Sequence, residues 1–214
     1  MITELDVALT DYGLALECAL FTYLLVRRRD GQRPLQTWFA LFFGSLSAAA
    51  LTGGTMHGFF LEPQTAGQTV LWSATLLAIG VTALSAWVIG GLIQFPEAVA
   101  RWILILAVVE FAGYCAVVLL ITQVFWVAVV NYLPAACFLF LIFSLAYQRM
   151  RERPISVGLA GLALTFVAAG ARERGIALHP VYFNHNALYH LIQAVALFMI
   201  FWAARWFVVG RVPQ

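Results

Sequence analysis

Three of the chain's four histidines, His57, His185 and His190, stand where two apolar stretches end or begin. His57 closes one stretch. His185 and His190 open another, in the run Phe183-Asn184-His185-Asn186-Ala187-Leu188-Tyr189-His190. Neutral imidazole is both a zinc ligand and a proton carrier. It is costly inside a bilayer unless it has a partner. Two separate segments that bring it to one layer therefore point to a metal or proton-handling site. A catalytic zinc commonly takes three protein ligands and a water, which makes His57, His185 and His190 the candidate set.

Helical phase constrains that set. His185 and His190 are five apart, about 140° round a regular helix, so they do not share a face. Asn186 and His190, at i and i+4, do share one. His185 can join only if the helix begins at or after it, with Asn184 or Asn186 as N-cap. Otherwise Asn186 is the alternative ligand. Glu62, five residues beyond His57, is the nearest carboxylate that could serve as general base, and it falls in a loop. His179, beside Pro180, reads as solvent-facing. Glu17 and Glu110 fall near the middle of apolar stretches, where a charged carboxylate is expensive. Structural hydrogen bonding is the expectation for both, with Glu110 against Asn131; the alternative is a proton path or second ion site. Ser45, Ser47, Thr52 and Thr55 precede His57 on its own segment, and such hydroxyls commonly bond back to the helix backbone.

The elements that must position these residues are membrane spans. The chain is 63% hydrophobic and 10% charged, where a soluble domain has about a quarter charged residues; its mean hydropathy is +0.91. A spanning helix needs about 20 mostly apolar residues. Seven fit, at roughly 6–26, 34–60, 68–93, 99–121, 124–147, 155–171 and 184–208. Phe95-Pro96 and Thr122-Gln123 are the only breaks between the third, fourth and fifth. The loops are too short to fold alone, so the expectation is an all-α polytopic membrane protein of one domain, 1–214.

Orientation comes from arginine, since the chain has no lysine. The first segment starts with Glu4, Asp6 and Asp11, unlike the basic start of a cleaved signal, and is long enough to span. Arg27, Arg28, Arg29, Arg33, Arg101, Arg149, Arg151, Arg153, Arg205 and Arg211 fall on one side of the seven spans; Arg172 and Arg174 fall on the other. The positive-inside rule makes the richer side cytoplasmic, with the N-terminus outside and the C-terminus inside. A basic rim of this kind orients a protein; it does not imply nucleic acid. Helix two then runs outward to His57 and helix seven inward past His190, at depths that agree to a few ångströms. The cluster is expected towards the extracytoplasmic side. Cys18, Cys115 and Cys137 lie within apolar segments and read as small hydrophobes, not a disulfide framework. Ala48-Ala49-Ala50, Gly53-Gly54, Gly90-Gly91 and Gly158 with Gly161 suit close helix packing, chiefly within the monomer, with a homo-oligomer or membrane complex as the other use. Trp38, Trp72, Trp126 and Trp206 lie near segment ends, where an aromatic belt belongs.

Seven spans, His57 late in the second, and Asn186-Ala187-Leu188-Tyr189-His190-Leu191 opening the seventh, followed by Ile192-Gln193-Ala194-Val195-Ala196-Leu197, resemble the CREST superfamily. That group holds the alkaline ceramidases and the adiponectin and progestin receptors. The resemblance implies seven helices around a zinc held by three histidines and, for ceramidases, water-mediated cleavage of a lipid amide. His57 and His190 match its pattern. Asn186 occupies the first position of the histidine pair, with His185 one place early. Gly53 stands where a serine is expected, and Gln68 and Thr69 where helix three should carry an aspartate.

The leading expectation is thus a CREST-like, zinc-dependent membrane hydrolase that cleaves a lipid amide or ester drawn from the outer leaflet into an apolar cavity. The alternative is a non-catalytic receptor, sensor or complex subunit that keeps the fold without the chemistry. A di-histidine haem protein needs facing axial histidines and finds no further support. A retinal pigment is excluded by the absent lysine. Arginine-only basicity and abundant alanine suggest a GC-rich bacterial genome, hence an inner membrane.

Overall fold

Each apolar run forms one helix, which satisfies its backbone polar groups within the segment. The computed structural model describes residues 4–28, 31–62, 65–179 and 182–210. It is all-helical apart from one isolated bridge between His179 and Phe183. The helices are α1 (Leu5–Val26), α2 (Arg33–Phe59), α3 (Ala66–Gln94), α4 (Glu97–Leu120), α5 (Phe125–Met150), α6 (Arg153–Glu173) and α7 (His185–Val209). All seven are long and apolar enough to cross a membrane. The largest departure from the expected boundaries is at the end of α5, which reaches Met150 instead of 147. It runs through Pro134, which has no N–H to give to the carbonyl of Val130. Arg29, Arg211 and Pro180 lie outside the described residues.

The packing order is not the chain order. α1 packs on α2, α2 on α3, α3 on α5, α5 on α6, α6 on α7, and α7 back on α1, which closes a ring of six. α4 lies outside that ring, against α3 and barely touching α5. Only 17% of its most apolar stretch is buried, against 67% for α3. Glu110 is consequently exposed on the outer face of α4, while Asn131 is buried in α5 with its amide nitrogen unbonded. The expected Glu110–Asn131 contact does not form. Glu17 is half-buried and has one carboxylate oxygen without a partner, so its expected hydrogen bonding is incomplete as well.

Two ends of the ring differ in filling. At the end that carries Arg27 and Arg33, phenylalanines close the centre. Phe21 stacks on Phe201 with centroids 4.2 Å apart, and Phe43 meets both edge-on at 5.4 and 5.8 Å. Gln36 Nε2 donates to the carbonyls of Leu25 (2.7 Å) and Arg28 (2.9 Å). Gln32 donates through its backbone to Val208 (2.8 Å) and through Nε2 to Gly210 (2.7 Å). These bonds satisfy helix-end carbonyls and tie α1, α2 and α7 together. At the opposite end the ring stays open, around the histidines.

Small residues set the helix spacing near that open end. A Cβ on Gly54 of α2 would lie 2.7 Å from Asp11 Cβ and 3.3 Å from the Ala8 carbonyl of α1. Only glycine permits that approach, which is what sets Asp11 against α2. Gly158 and Gly161 play the same part where α6 meets Ala203 and Ala196 of α7.

Candidate functional site

The open end holds a cavity of about 270 Å³ walled by six helices, all but α4. Much of the wall is apolar, including Leu14, Leu46, Ile79, Val129, Leu133 and Phe166. His57, His190, Asp11, Arg172, Asn186 and Gln193 interrupt it.

α7 brings four of its polar residues there through one stripe. Asn186, Tyr189, His190 and Gln193 follow i, i+3, i+4, i+7 spacing, which keeps them on one face. Its start is fixed by Asn184, whose side chain accepts from the backbone N–H groups of Asn186 (2.9 Å) and Ala187 (3.1 Å). Asn184's own N–H donates to Asp6 Oδ2 at 2.9 Å, so the start of α7 is tied to the start of α1.

Each histidine has one ring nitrogen held by an oxygen. His57 Nδ1 donates to Glu4 Oε2 at 2.6 Å. His190 Nδ1 lies 3.3 Å from Thr10 Oγ1. The Thr10 hydroxyl also lies within reach of the carbonyls of Asp6 (2.9 Å) and Val7 (3.0 Å). Each ring thus meets an oxygen through Nδ1 and turns Nε2 elsewhere. His190 Nε2 faces Asp11 Oδ1 at 3.3 Å, and the two side chains are only 14% and 7% exposed. At that distance, largely out of water, the two atoms share a proton or a cation.

The donor set bears on zinc directly. Adjacent ligands of a tetrahedral zinc with bonds of about 2.0 Å lie about 3.3 Å apart. Asp11 Oδ1 and His190 Nε2 have that separation. Nδ1 held by an oxygen is also the arrangement that orients a metal-binding imidazole and raises its basicity. Among the described residues no three His, Cys, Asp or Glu side chains are already gathered as a ligand group. His57 stands across the same cavity, one helical turn beyond Gly53, whose Cβ position is 3.8 Å from Asp11 Oδ2. Asp11 and His190 have the separation of two ligands, and His57 is the other imidazole of the cavity wall, with no third ligand gathered to the pair among the described residues.

The sequence-predicted residues divide accordingly. His57 and His190 come together in one cavity. His185 is the first residue of α7 and is not part of the wall, because its phase turns it from the stripe that carries His190. Asn186 is in the wall, where its Oδ1 accepts from Arg172 Nε at 2.9 Å. Glu62 is exposed and outside the cavity. His179 is exposed, with Nδ1 accepting from the Tyr182 N–H at 3.1 Å.

Sequence reasoning passed over Asp11, Glu4, Arg172, Tyr189 and Gln193. Asp11 had a signal: it shares the inward face of α1 with Val7, Leu14 and Cys18, and a carboxylate on a spanning helix's buried face is functional by default. Arg172 falls not in a loop but in the last turn of α6, its guanidinium over the Phe125 ring at 4.7 Å.

The chain is thus a ring of membrane-length helices around a cavity that histidines and a carboxylate line. Residues 7–207 match the family described as "Family of unknown function (DUF6962)", and the chain belongs to that family. No curated protein and no solved structure matches it.

Proposed function

We propose that the protein is a zinc-dependent hydrolase of the membrane interior, cleaving an amide or ester bond of a lipid-like amphiphile. The observation that carries this is the Asp11–His190 pair, with Oδ1 and Nε2 3.3 Å apart in a mostly apolar cavity that His57 also lines. Asp11, His57 and His190 hold the ion, with Asp11 in the place first given to His185. Glu4 and Thr10 keep the imidazoles in the ligating tautomer. Zinc bound there supplies a Lewis acid and a water acidified towards about pH 7. Arg172 and Asn186 receive the polar head group, and the apolar wall formed by α2, α3 and α5 takes the chain and excludes water. The arginine asymmetry supports an extracytoplasmic site, and the arginine-only, alanine-rich composition supports a bacterial inner membrane.

Metal content tests the proposal: protein purified in detergent without chelator should carry about one zinc per chain by mass spectrometry. No metal, even after zinc is added back, would sink it. The second reading is then favoured by the 2.6 Å His57–Glu4 contact. In that case both histidines serve hydrogen bonding and proton sharing in a non-catalytic receptor, sensor or complex subunit.

A further inference from the structure

The arginine end carries a second concavity, away from the histidines. It is an open groove of about 490 Å³, bounded by the chain just past α1, the start of α6 and the last turns of α7. Arg28 and Arg205 stand in it, with Trp202 and Trp206 in its wall. The fold places both arginines. The Arg28 N–H donates to the Leu25 carbonyl at 3.1 Å, and its own carbonyl accepts from Gln36 Nε2 at 2.9 Å. The Arg205 guanidinium lies 5.9 Å from the centre of the Phe201 ring. Arg101 and Arg172 have carboxylate partners. Among the described residues Arg28 and Arg205 have none. Two cations that share a groove without a counter-charge repel each other and attract an anion.

α7 gives the groove a direction. Phe198, Trp202, Arg205 and Val209 follow i, i+4, i+7, i+11 spacing on one exposed face. Exposed Val195 and Leu191 continue that stripe away from the arginines. From Trp202 back to Leu191 is about 16 Å, close to one leaflet of a hydrocarbon core about 30 Å thick. A charged end at the level of the tryptophans, followed by an apolar track of that length, has the order of a phospholipid, head and then chain. A soluble anion would use the arginines and leave the stripe idle. A zwitterionic lipid would use the stripe but bring a second cation against the arginines.

We propose that this groove binds an anionic phospholipid, its phosphate taken by Arg28 and Arg205 and one acyl chain laid along α7. The site needs neither the metal nor the hydrolysis proposed for the opposite end.

Native mass spectrometry of the full chain in detergent, titrated with phosphatidylglycerol and with phosphatidylcholine of identical chains, reads the two affinities. The wild type should prefer phosphatidylglycerol by about 25-fold, roughly fivefold for each arginine. Arg28→Gln and Arg205→Gln should each cut that preference about fivefold, and the double variant should abolish it. Arg101→Gln removes an exposed cation of α4 outside the groove and should leave the preference whole. Trp202→Ala should weaken both lipids alike and keep their ratio. A wild type that binds the two lipids equally overturns the inference, whether or not the variants fold. A preference that survives the double variant, or that falls as far in Arg101→Gln, belongs to diffuse charge and overturns it as well. Displacement of phosphatidylglycerol by equimolar glycerol 3-phosphate, or a Trp202→Ala variant that binds both lipids as the wild type does, would make the groove a site for a soluble anion and refute the lipid.

Discussion

Asp11→Asn separates a metal ligand from a structural hydrogen bond. The substitution keeps the side chain's size against Gly54, where there is no room for more. It also puts an amide N–H where Oδ1 now faces His190 Nε2 at 3.3 Å. In the ligating tautomer that N–H can donate directly, so without metal the variant should melt within about 1 kcal/mol of the metal-free wild type, the value of one neutral hydrogen bond. Zinc must act differently on the two proteins. At free zinc of about one hundred times Kd, binding stabilises the native wild type by about 2.7 kcal/mol. For a chain of this length each kcal/mol moves Tm by about 2–4 °C, so the expected rise is about 5–10 °C. Asp11→Asn should show little of it. Intrinsic-fluorescence melting in detergent, with chelator and then with added zinc, measures both terms. A variant that gains as much from zinc as the wild type refutes Asp11 as a ligand. A variant that melts far below the metal-free wild type refutes that tautomer, and makes the pair a charged ion bridge.

The remaining expectations concern the same end of the bundle. His57→Ala and His190→Ala should each lower bound zinc to near background by mass spectrometry, whereas His185→Ala should leave it unchanged; loss of metal in His185→Ala would restore the three-histidine set. Asn184→Ala removes the side chain that accepts from two N–H groups of α7, and should cost about 0.5–2 kcal/mol in thermal melting. Gly54→Ala forces a Cβ to 2.7 Å from Asp11; about 1–3 kcal/mol of overpacking should appear, with zinc retention falling alongside stability.

The helices were legible because runs of about 20 apolar residues, broken only by short polar or proline-containing stretches, announce membrane-length helices. Their arrangement was not. α4 is apolar all round and so shows no preferred face, and nothing in Glu97–Leu120 announced that it would lie outside the ring. Glu110 was accordingly expected inside the bundle and lies outside it. Of the site, the depth match of His57 and His190 could be read from spacing alone. Asp11 was taken only as an acidic start to the first segment, because its partner is far away in the chain and no local pattern encodes that contact. His185 stands outside the cavity wall because adjacency in sequence is not adjacency on a helix, which the five-residue interval to His190 already encodes.

The glutamines at the arginine end reach further than their own hydrogen bonds. Gln32 and Gln36 bind the ends of α1 and α7 to the start of α2. His57 lies 21 residues along α2 from Gln36, or about 30 Å. A lever of that length, fixed at one tip, converts a tilt of about 2° into about 1 Å at the other. The wall facing it includes α5, with Pro134 leaving one backbone bond unmade partway along. A shift at the glutamine end is therefore magnified where His57 stands, so the arginine end helps to set the geometry of the cavity.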